Sequence, residues 1–340
     1  MAKAVTIKDI ARLCDVSIAT VSRVLNNKPE GVGEKTIERI RQMIRTMDYQ
    51  PSSIARSMIT KRSHTIGLII PDVRNPFFSE LARGVEDVCN ARSFGCFLCN
   101  TDGSIDKENE YIRLLRGRVV DGVLFTTQNN VEFNEVFFDF QKTHYPFCLI
   151  ERYINELPNV PGVYFDNLKG AYEMTKFILD KGHRKVAFIS GPLSTNNARL
   201  RRDGFLQALK EYGVEPDEAL MIEGNYRYSG GYAAAQKLLS GGKSSFTALF
   251  AANDLMAFGA YKLLEEQGYA IPRDISIAGF DNIAYPPVLK PTLTTIEIPA
   301  YELGKRAAEM LFQLIKGEKL AELKHVFPSV LKDNGSVIAI

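Results

Sequence analysis

The sequence predicts a small all-α head built on a helix-turn-helix, followed by a larger α/β body of two doubly wound lobes with parallel sheets. Three observations carry that prediction. Apolar residues recur at helical spacing through the first 49 residues, strand-like apolar runs alternate with helical stretches from residue 65 onward, and charge divides unevenly between the two parts. Residues 1–63 hold twelve Lys and Arg against six Asp and Glu, leaving 30 basic and 34 acidic groups for the rest of the 340-residue chain. The overall net charge of +2 hides this split. A basic module on a mildly acidic body is what neutralising phosphates with one part of a chain requires.

Residues 6–25 open the head. Ile7, Ile10, Ala11 and Cys14 recur at helical spacing, and Val21, Val24 and Leu25 do the same beyond a three-residue turn, so two short helices each bury one stripe. Ser17 precedes the second helix, where its hydroxyl can cap it. With Val21, Val24 and Leu25 turned inward, Ile18, Ala19, Ser22 and Arg23 stay outside: two apolar contacts, a hydroxyl and a fork-shaped donor. Such a face suits a DNA groove, with Arg23 reaching a guanine edge and the hydroxyls reaching phosphates. The competing reading is an ordinary helical bundle with Arg23 merely solvated. A third helix over residues 34–47 weighs against it, because Ile37, Ile40, Ile44 and Met47 form one inward stripe while Lys35, Arg39, Arg41 and Arg45 cover the other face.

Residues 50–64 read as a hinge and linker. Pro51 can open a helix, since its missing N–H is not needed at the first position. About two turns follow before Lys61-Arg62-Ser63-His64, and so short a helix is marginal alone in water. The plainer alternative is a flexible linker.

The body begins with Thr65–Pro71, an almost continuous apolar run typical of a strand buried on both faces. Further strands are expected at Cys96–Asn100, Gly122–Thr126, Phe147–Ile150, Val163–Phe165, Val186–Ser190, Leu249–Ala252 and Ile275–Phe280. Helical stretches follow or separate them, among them 77–92, 106–117 and 301–315. This alternation is the pattern of doubly wound α/β lobes.

Other function classes find little support. The charged start lacks the apolar core of a signal segment and no apolar run approaches the roughly 20 residues of a membrane span, so a cytoplasmic protein without membrane contact is expected. Five cysteines are too scattered for a disulfide framework, and Cys96 and Cys99 stand three apart on one strand, pointing to opposite faces. His64, His144, His183 and His325 occur singly, so no metal site is expected, and His183 reads as a helix-end imidazole meeting the helix dipole. Gly242-Lys243-Ser244 mimics the end of a phosphate loop but follows a helix and lacks the first glycine. Neither a G-x-S-x-G elbow nor a strand-borne G-x-G-x-x-G occurs, so neither enzyme nor cofactor is expected.

The order Thr-Ile-Lys-Asp-Ile-Ala…Val-Ser-Ile-Ala-Thr-Val-Ser-Arg-Val-Leu-Asn closely resembles the headpiece of the lactose- and galactose-repressor (LacI/GalR) family of bacterial transcription regulators, and the resemblance runs through nearly the whole chain. It implies that Thr6, Ser17, Thr20, Ser22 and Asn26 are phosphate or cap positions, and that Ile18, Ala19 and Arg23 read bases. Ile18 departs from the polar or aromatic residue often found there. In the hinge the resemblance implies DNA contact by Ser53, Ala55 and Met58, with Met58 in the place of a leucine that wedges into the minor groove. It further implies a homodimer on a palindromic operator, and a sensor similar to periplasmic sugar-binding proteins whose chain crosses between lobes three times. Those crossings are placed near 162, 292 and 324, giving lobe 1 as 65–162 and 293–324 and lobe 2 as 163–292 and 325–340.

Open α/β sheets bind ligands at the carboxyl ends of their strands. There the family's effector loop is matched by Asp72 to Phe78, in which Phe77 and Phe78 either stack on a ligand or simply pack. Glu151 ends another strand, where it accepts ligand hydroxyls or forms a surface pair with Arg152. The match to Ala198–Phe205 implies Arg201 as the family's ligand arginine, with Thr195 and Asn197 nearby; Asn253 and Asp281 close two further strands and Tyr226 offers an aromatic platform. Arg, Asn and Asp beside aromatic rings suit a polyhydroxylated ligand. A purine-binding member of the family carries a second arginine at the position of Thr195, which points here toward a sugar. The chain is thus expected to be a ligand-responsive repressor of sugar-metabolism genes. A periplasmic-type solute-binding protein without DNA function is the alternative, and a nucleotide-dependent enzyme on the same frame is a third.

Overall fold

The computed structural model describes residues 5–49, 62–117, 120–126, 136–152, 159–240, 245–284, 290 and 292–340. Ser53, Ala55 and Met58 of the hinge, and the Gly242-Lys243-Ser244 turn, lie outside these residues. The chain divides into two compact units, Met1–Ser63 and His64–Ile340.

In the first unit α1 (Ile7–Leu13) starts at a capping box: Asp9 N donates to the Thr6 hydroxyl, and the Asp9 carboxylate accepts from Thr6 N at 3.0 Å. The chain turns through Asp15 at φ 47° into α2 (Ile18–Leu25), capped by the Ser17 hydroxyl, which accepts from Thr20 N at 3.1 Å. α3 (Glu34–Thr46) closes a core of Ile10, Ala11, Cys14, Val21, Val24 and Ile40. The expected stripe of α3 needs one correction. The helix ends at Thr46, so Met47 leaves the helical phase and is exposed, while Met43 packs inward with Ile37 and Ile44.

The second unit holds two parallel sheets. In the first lobe β1 (Thr65–Ile70) lies between β2 (Gly95–Asn100) and β3 (Gly122–Phe125), and β4 (Phe147–Ile150), β5 (Gly162–Phe165) and β11 (Lys324–Phe327) extend the sheet from β3. In the second, β6 (Val186–Ser190) lies between β7 (Met221–Glu223) and β8 (Ala248–Ala251), with β9 (Ser276–Ala278) beyond β8. Every neighbouring pair in both sheets is parallel, so all strands deliver their carboxyl ends to one edge. Each expected strand falls on an observed one within two residues. β7 and the short β10 (Thr295–Glu297) and β12 (Val330–Lys332), like the half-exposed β11, lack an apolar run long enough to announce themselves.

With α5 (Ile105–Gly117) and α6 (Val136–Lys142) following β2 and β3, the other helices pack in pairs on these sheets: α4 (Pro76–Ala91) with α11 (Ala300–Lys316), α7 (Asn167–Asp180) with α8 (Asn196–Glu211), and α9 (Tyr228–Leu238) with α10 (Asp254–Glu266). The α4–α11 pair touches backbone to backbone. A Cβ on Gly304 would stand 2.0 Å from Leu81 O, and one on Gly84 would stand 2.1 Å from Tyr301 O. The return of the 301–315 helix to the first lobe, read from the sequence, is seen in its packing on α4, β3, β4 and β5.

Two crossings shift from their expected places. β5 remains hydrogen-bonded to β4 through Ile150 and Val163, so the first crossing follows Phe165 rather than residue 162. β11 pairs with β5 as far as Phe327, so the third follows 327 rather than 324. Apolar patterning marks strands but not the sheet they join, and only pairing assigns them. The middle and last crossings meet as the antiparallel pair β10–β12. His183 also departs from its helix-end reading: it is fully buried, with Nδ1 on Thr247 Oγ1 at 2.8 Å and Nε2 on Ile338 O at 3.0 Å, and burial lowers its pKa. A neutral ring bridging two segments explains this better than a dipole contact. Cys96 and Cys99 stand on the edge strand β2, and all five cysteines are free thiols.

Candidate functional site

The carboxyl ends of the two sheets face one cavity of about 630 Å³. Asp72 follows β1, Glu151 and Arg152 follow β4, Asn225 and Tyr226 follow β7, Asn253 follows β8 and Asp281 follows β9. Helix starts complete the lining: Asn75 caps α4 by accepting from Phe77 N at 3.0 Å, and α8 brings in Asn197 and Arg201.

Arg201 organises the second lobe's wall. It is 2 % exposed, donates Nε to Asn167 Oδ1 at 2.7 Å, and donates Nη1 to Ala252 O and to Asp281 Oδ1, the latter at 3.3 Å. Its guanidinium lies 3.9 Å from the Phe280 ring centroid, with Phe165 and Tyr226 farther out. Burial pushes the Asp281 carboxyl well above the usual range; Arg201 pulls it down, and Asp254 and Glu151 push it further up. Burial likewise lifts Tyr226 to about 12.

On the opposite wall Glu151 Oε2 accepts from Arg152 Nε at 2.9 Å, and Glu151 Oε1 accepts from Asn197 Nδ2 at 2.6 Å, joining the lobes. Both side chains of the pair are only 3 % exposed, so the surface-pair reading of Glu151 and Arg152 is set aside. Asp72 makes a second link at the cleft mouth, accepting from Arg227 Nε at 3.2 Å as well as from Arg74, and hydrogen bonding to Arg74 lowers its pKa. Phe77 and Phe78 meet edge to face at 5.1 Å and are buried in the core, as the packing reading expects, and both also line the cavity.

Four cavity residues hold left-handed backbone without being glycine: Asp102 at φ 53°, Glu151 at φ 65°, Tyr226 at φ 61° and Asp281 at φ 113°. Such conformations cost about 1–3 kcal/mol each and persist where surrounding bonds impose them. Asn253 Nδ2 donates to Tyr226 O at 3.0 Å, and Asp281 N donates to Ile296 O at 2.8 Å. Asn197 Oδ1 and the Tyr226 hydroxyl are buried with no protein partner, which is unusual outside a ligand site.

Nine of the ten effector positions expected from the sequence therefore meet around one cavity: Asp72, Phe77, Phe78, Glu151, Asn197, Arg201, Tyr226, Asn253 and Asp281. Thr195 does not. Its hydroxyl donates to Pro192 O at 2.9 Å within its own turn, and its neighbour Ser194 lines the cavity instead. Arg152, Arg227, Asn75 and Asp102 line it without having been singled out. Arg152 had a signal, since it directly follows a strand-ending acid; Arg227 and Asp102 sit in loops whose proximity only folding creates.

In the head, Ile18 is 44 % exposed and Ser17, Ala19 and Arg23 stand exposed beside it, with Thr20 and Ser22 half-buried. Thr6 and Ser17 act as helix caps, and Asn26 closes α2 by donating to Ser22 O at 2.9 Å. This leaves one polar and apolar face with Arg23 projecting from it.

Comparison with known proteins agrees with both units. Residues 6–52 match the model of bacterial regulatory proteins of the lacI family, and residues 63–328 match that of periplasmic binding proteins and the sugar-binding domain of the LacI family. A ribose operon repressor of Halalkalibacterium halodurans is 37 % identical over 96 % of this chain and 95 % of its own. A LacI family regulator from Enterococcus faecium, solved with bound ribose, is 35 % identical with a TM-score of 0.73, over 81 % of this chain and 99 % of that one. The Lac repressor dimer bound to operator, 24 % identical, shares the fold with a TM-score of 0.86 over 99 % of this chain and 100 % of that one. The matched headpiece disfavours the solute-binding alternative, and the enzyme reading falls with it. With a regulator's headpiece and a sugar-binding sensor matched in the expected order, the chain belongs to the LacI family of bacterial transcription regulators.

Proposed function

We propose that this ligand-responsive repressor takes a free, uncharged monosaccharide in its interlobe cavity, an aldopentose such as ribose before others. The observation that carries this is the charge balance of the lining. Each arginine among the described lining residues already meets a carboxylate, Arg74 and Arg227 both at Asp72, Arg152 at Glu151 and Arg201 at Asp281, which disfavours a phosphate, while the unpartnered Asn197 Oδ1 and Tyr226 hydroxyl supply an acceptor and a donor for sugar hydroxyls. The rings of Phe77, Phe78 and Tyr226 offer cover for C–H faces. The similarity to relatives named for ribose supports the same choice.

Two copies hold a near-palindromic operator in the cytoplasm, with Arg23 at base edges, the hinge positions Ser53 and Ala55 on the DNA and Met58 in the minor groove. Sugar bound between Glu151 and Phe78 on one wall and Arg201, Asn253 and Asp281 on the other alters the lobe angle, and with it the formation of a hinge helix that is marginal alone. Sugar and operator then oppose or favour each other by a reciprocal coupling of about 1–3 kcal/mol. Calorimetric titration with D-ribose and with ribose 5-phosphate, each with and without operator DNA, tests the reading. Binding of the phosphate in preference to the free sugar would overturn it.

A further inference from the structure

Asp254 stands next to Asn253, is 2 % exposed, and does not itself line the cavity. Its carboxylate joins two separate segments: Oδ1 accepts from Thr295 Oγ1 at 2.6 Å and Oδ2 accepts from Ile283 N at 2.9 Å. Its backbone N–H donates to Phe280 O at 2.8 Å. The stretch from Phe280 to Ile283 carries Asp281 and both left-handed residues, Asp281 at φ 113° and Asn282 at φ 56°. Thr295 lies on β10, in the middle crossing between the lobes, and its oxygen also accepts from Asn282 N at 3.4 Å. Asp281 is tied to the same crossing through its own backbone, to Ile296 O at 2.8 Å and from Ile298 N at 3.3 Å.

An acid in a helix's first turn is favourable anywhere on a surface. Burial makes this one different, because a carboxyl group taken out of water is costly unless its oxygens find partners. Here those donors come from the loop that shapes Asp281 and from the strand that joins the lobes. The charged groups around the cluster are Asp281, with Arg201 and Glu151 beyond it, and Glu297 on β10, which accepts from Asn282 Nδ2 at 3.2 Å and pairs with Lys332 at 2.8 Å.

We propose that Asp254 is a positioning residue for the effector response: it locks the Asp281 loop to β10, so that a sugar engaging Asp281 acts directly on the crossing between the lobes. This rests on the cleft reading of Asp281 above. The test uses the full chain and the variants Asp254→Asn, Thr295→Val and Thr295→Ser. Amide exchange is followed over residues 279–298, without ligand and with D-ribose, and D-ribose affinity is measured by calorimetry. Without ligand, Asp254→Asn and Thr295→Val should exchange at least tenfold faster at residues 281–283 and 294–298 while the β1–β3 amides keep their protection. D-ribose should slow exchange at 294–298 in the wild type and in Thr295→Ser, which keeps the hydroxyl, but not in Thr295→Val, whose affinity should fall at least fivefold. Exchange in Thr295→Val equal to that of the wild type would overturn the proposal, even if Asp254→Asn fails to fold. If D-ribose binds none of the proteins, the aldopentose reading falls, and the ligand-free exchange still decides whether Asp254 locks the loop.

Discussion

Replacing Arg201 by Ala separates a ligand-binding role from a purely structural one. The side chain is nearly inaccessible and serves Asn167 Oδ1, Ala252 O and Asp281 Oδ1 at once, while its face covers Phe280. Its loss strands a buried carboxylate, which costs about 3–5 kcal/mol when one partner of such a pair is removed. For a sensor of this size that corresponds to a fall in Tm of roughly 10 °C. Sugar binding suffers separately: a hydrogen bond from a charged donor is worth about 1.5–3 kcal/mol, so the Kd for D-ribose should rise about 10- to 150-fold. Arg201→Lys keeps the charge but not the planar fork, and should fall between wild type and Arg201→Ala in both measures. Thermal unfolding and calorimetric titration of the three proteins give the two numbers independently. A lower Tm with a Kd within twofold of wild type would show that Arg201 only braces the wall, and would refute its assignment to the ligand.

Three further outcomes are expected. Arg23→Ala should weaken operator binding by about 1–3 kcal/mol and random duplex far less; equal losses in parallel fluorescence titrations would make Arg23 a phosphate contact. Gly304→Ala places a Cβ 2.0 Å from Leu81 O and should destabilise the sensor by about 1–3 kcal/mol in denaturant unfolding, since α4 and α11 must separate. Burial raises Asp254 to about 7, above its ordinary 3.8, so the folded state keeps a proton that the unfolded chain releases at lower pH. Its contribution to stability is therefore fullest below about pH 4 and is lost as pH rises to about 7. Urea unfolding between pH 5 and pH 8 should show a fall of up to about 3 kcal/mol from this group that Asp254→Asn lacks, and an identical slope in the two proteins would contradict it.

Residue pattern alone determined the helix-turn-helix, the strand and helix alternation, and the family. Each rests on local physics: 3.6-residue spacing in Ile7 to Leu25, caps at Thr6 and Ser17, and apolar runs such as Thr65–Ile70 that have no stable place outside a covered sheet. Because parallel strands all end on one edge, the residue after each strand was also a legible choice for the site, which is why Glu151, Asn253 and Asp281 could be named. Tertiary structure decided what depends on contacts between distant segments. It placed β5 and β11 in the first lobe through strand pairing, which no apolar run encodes. It turned Thr195 to Pro192 O and brought Arg227 to Asp72 across the cleft, partners 155 positions apart in the chain. Asp254 gave no sequence signal, because an acid at a helix start is ordinary; its burial against Thr295 and Ile283 exists only once the crossing strand lies on the second lobe. Spacing along the chain reports which face a residue occupies, whereas hydrogen-bond partners and charge compensation are set by what folding brings against that face.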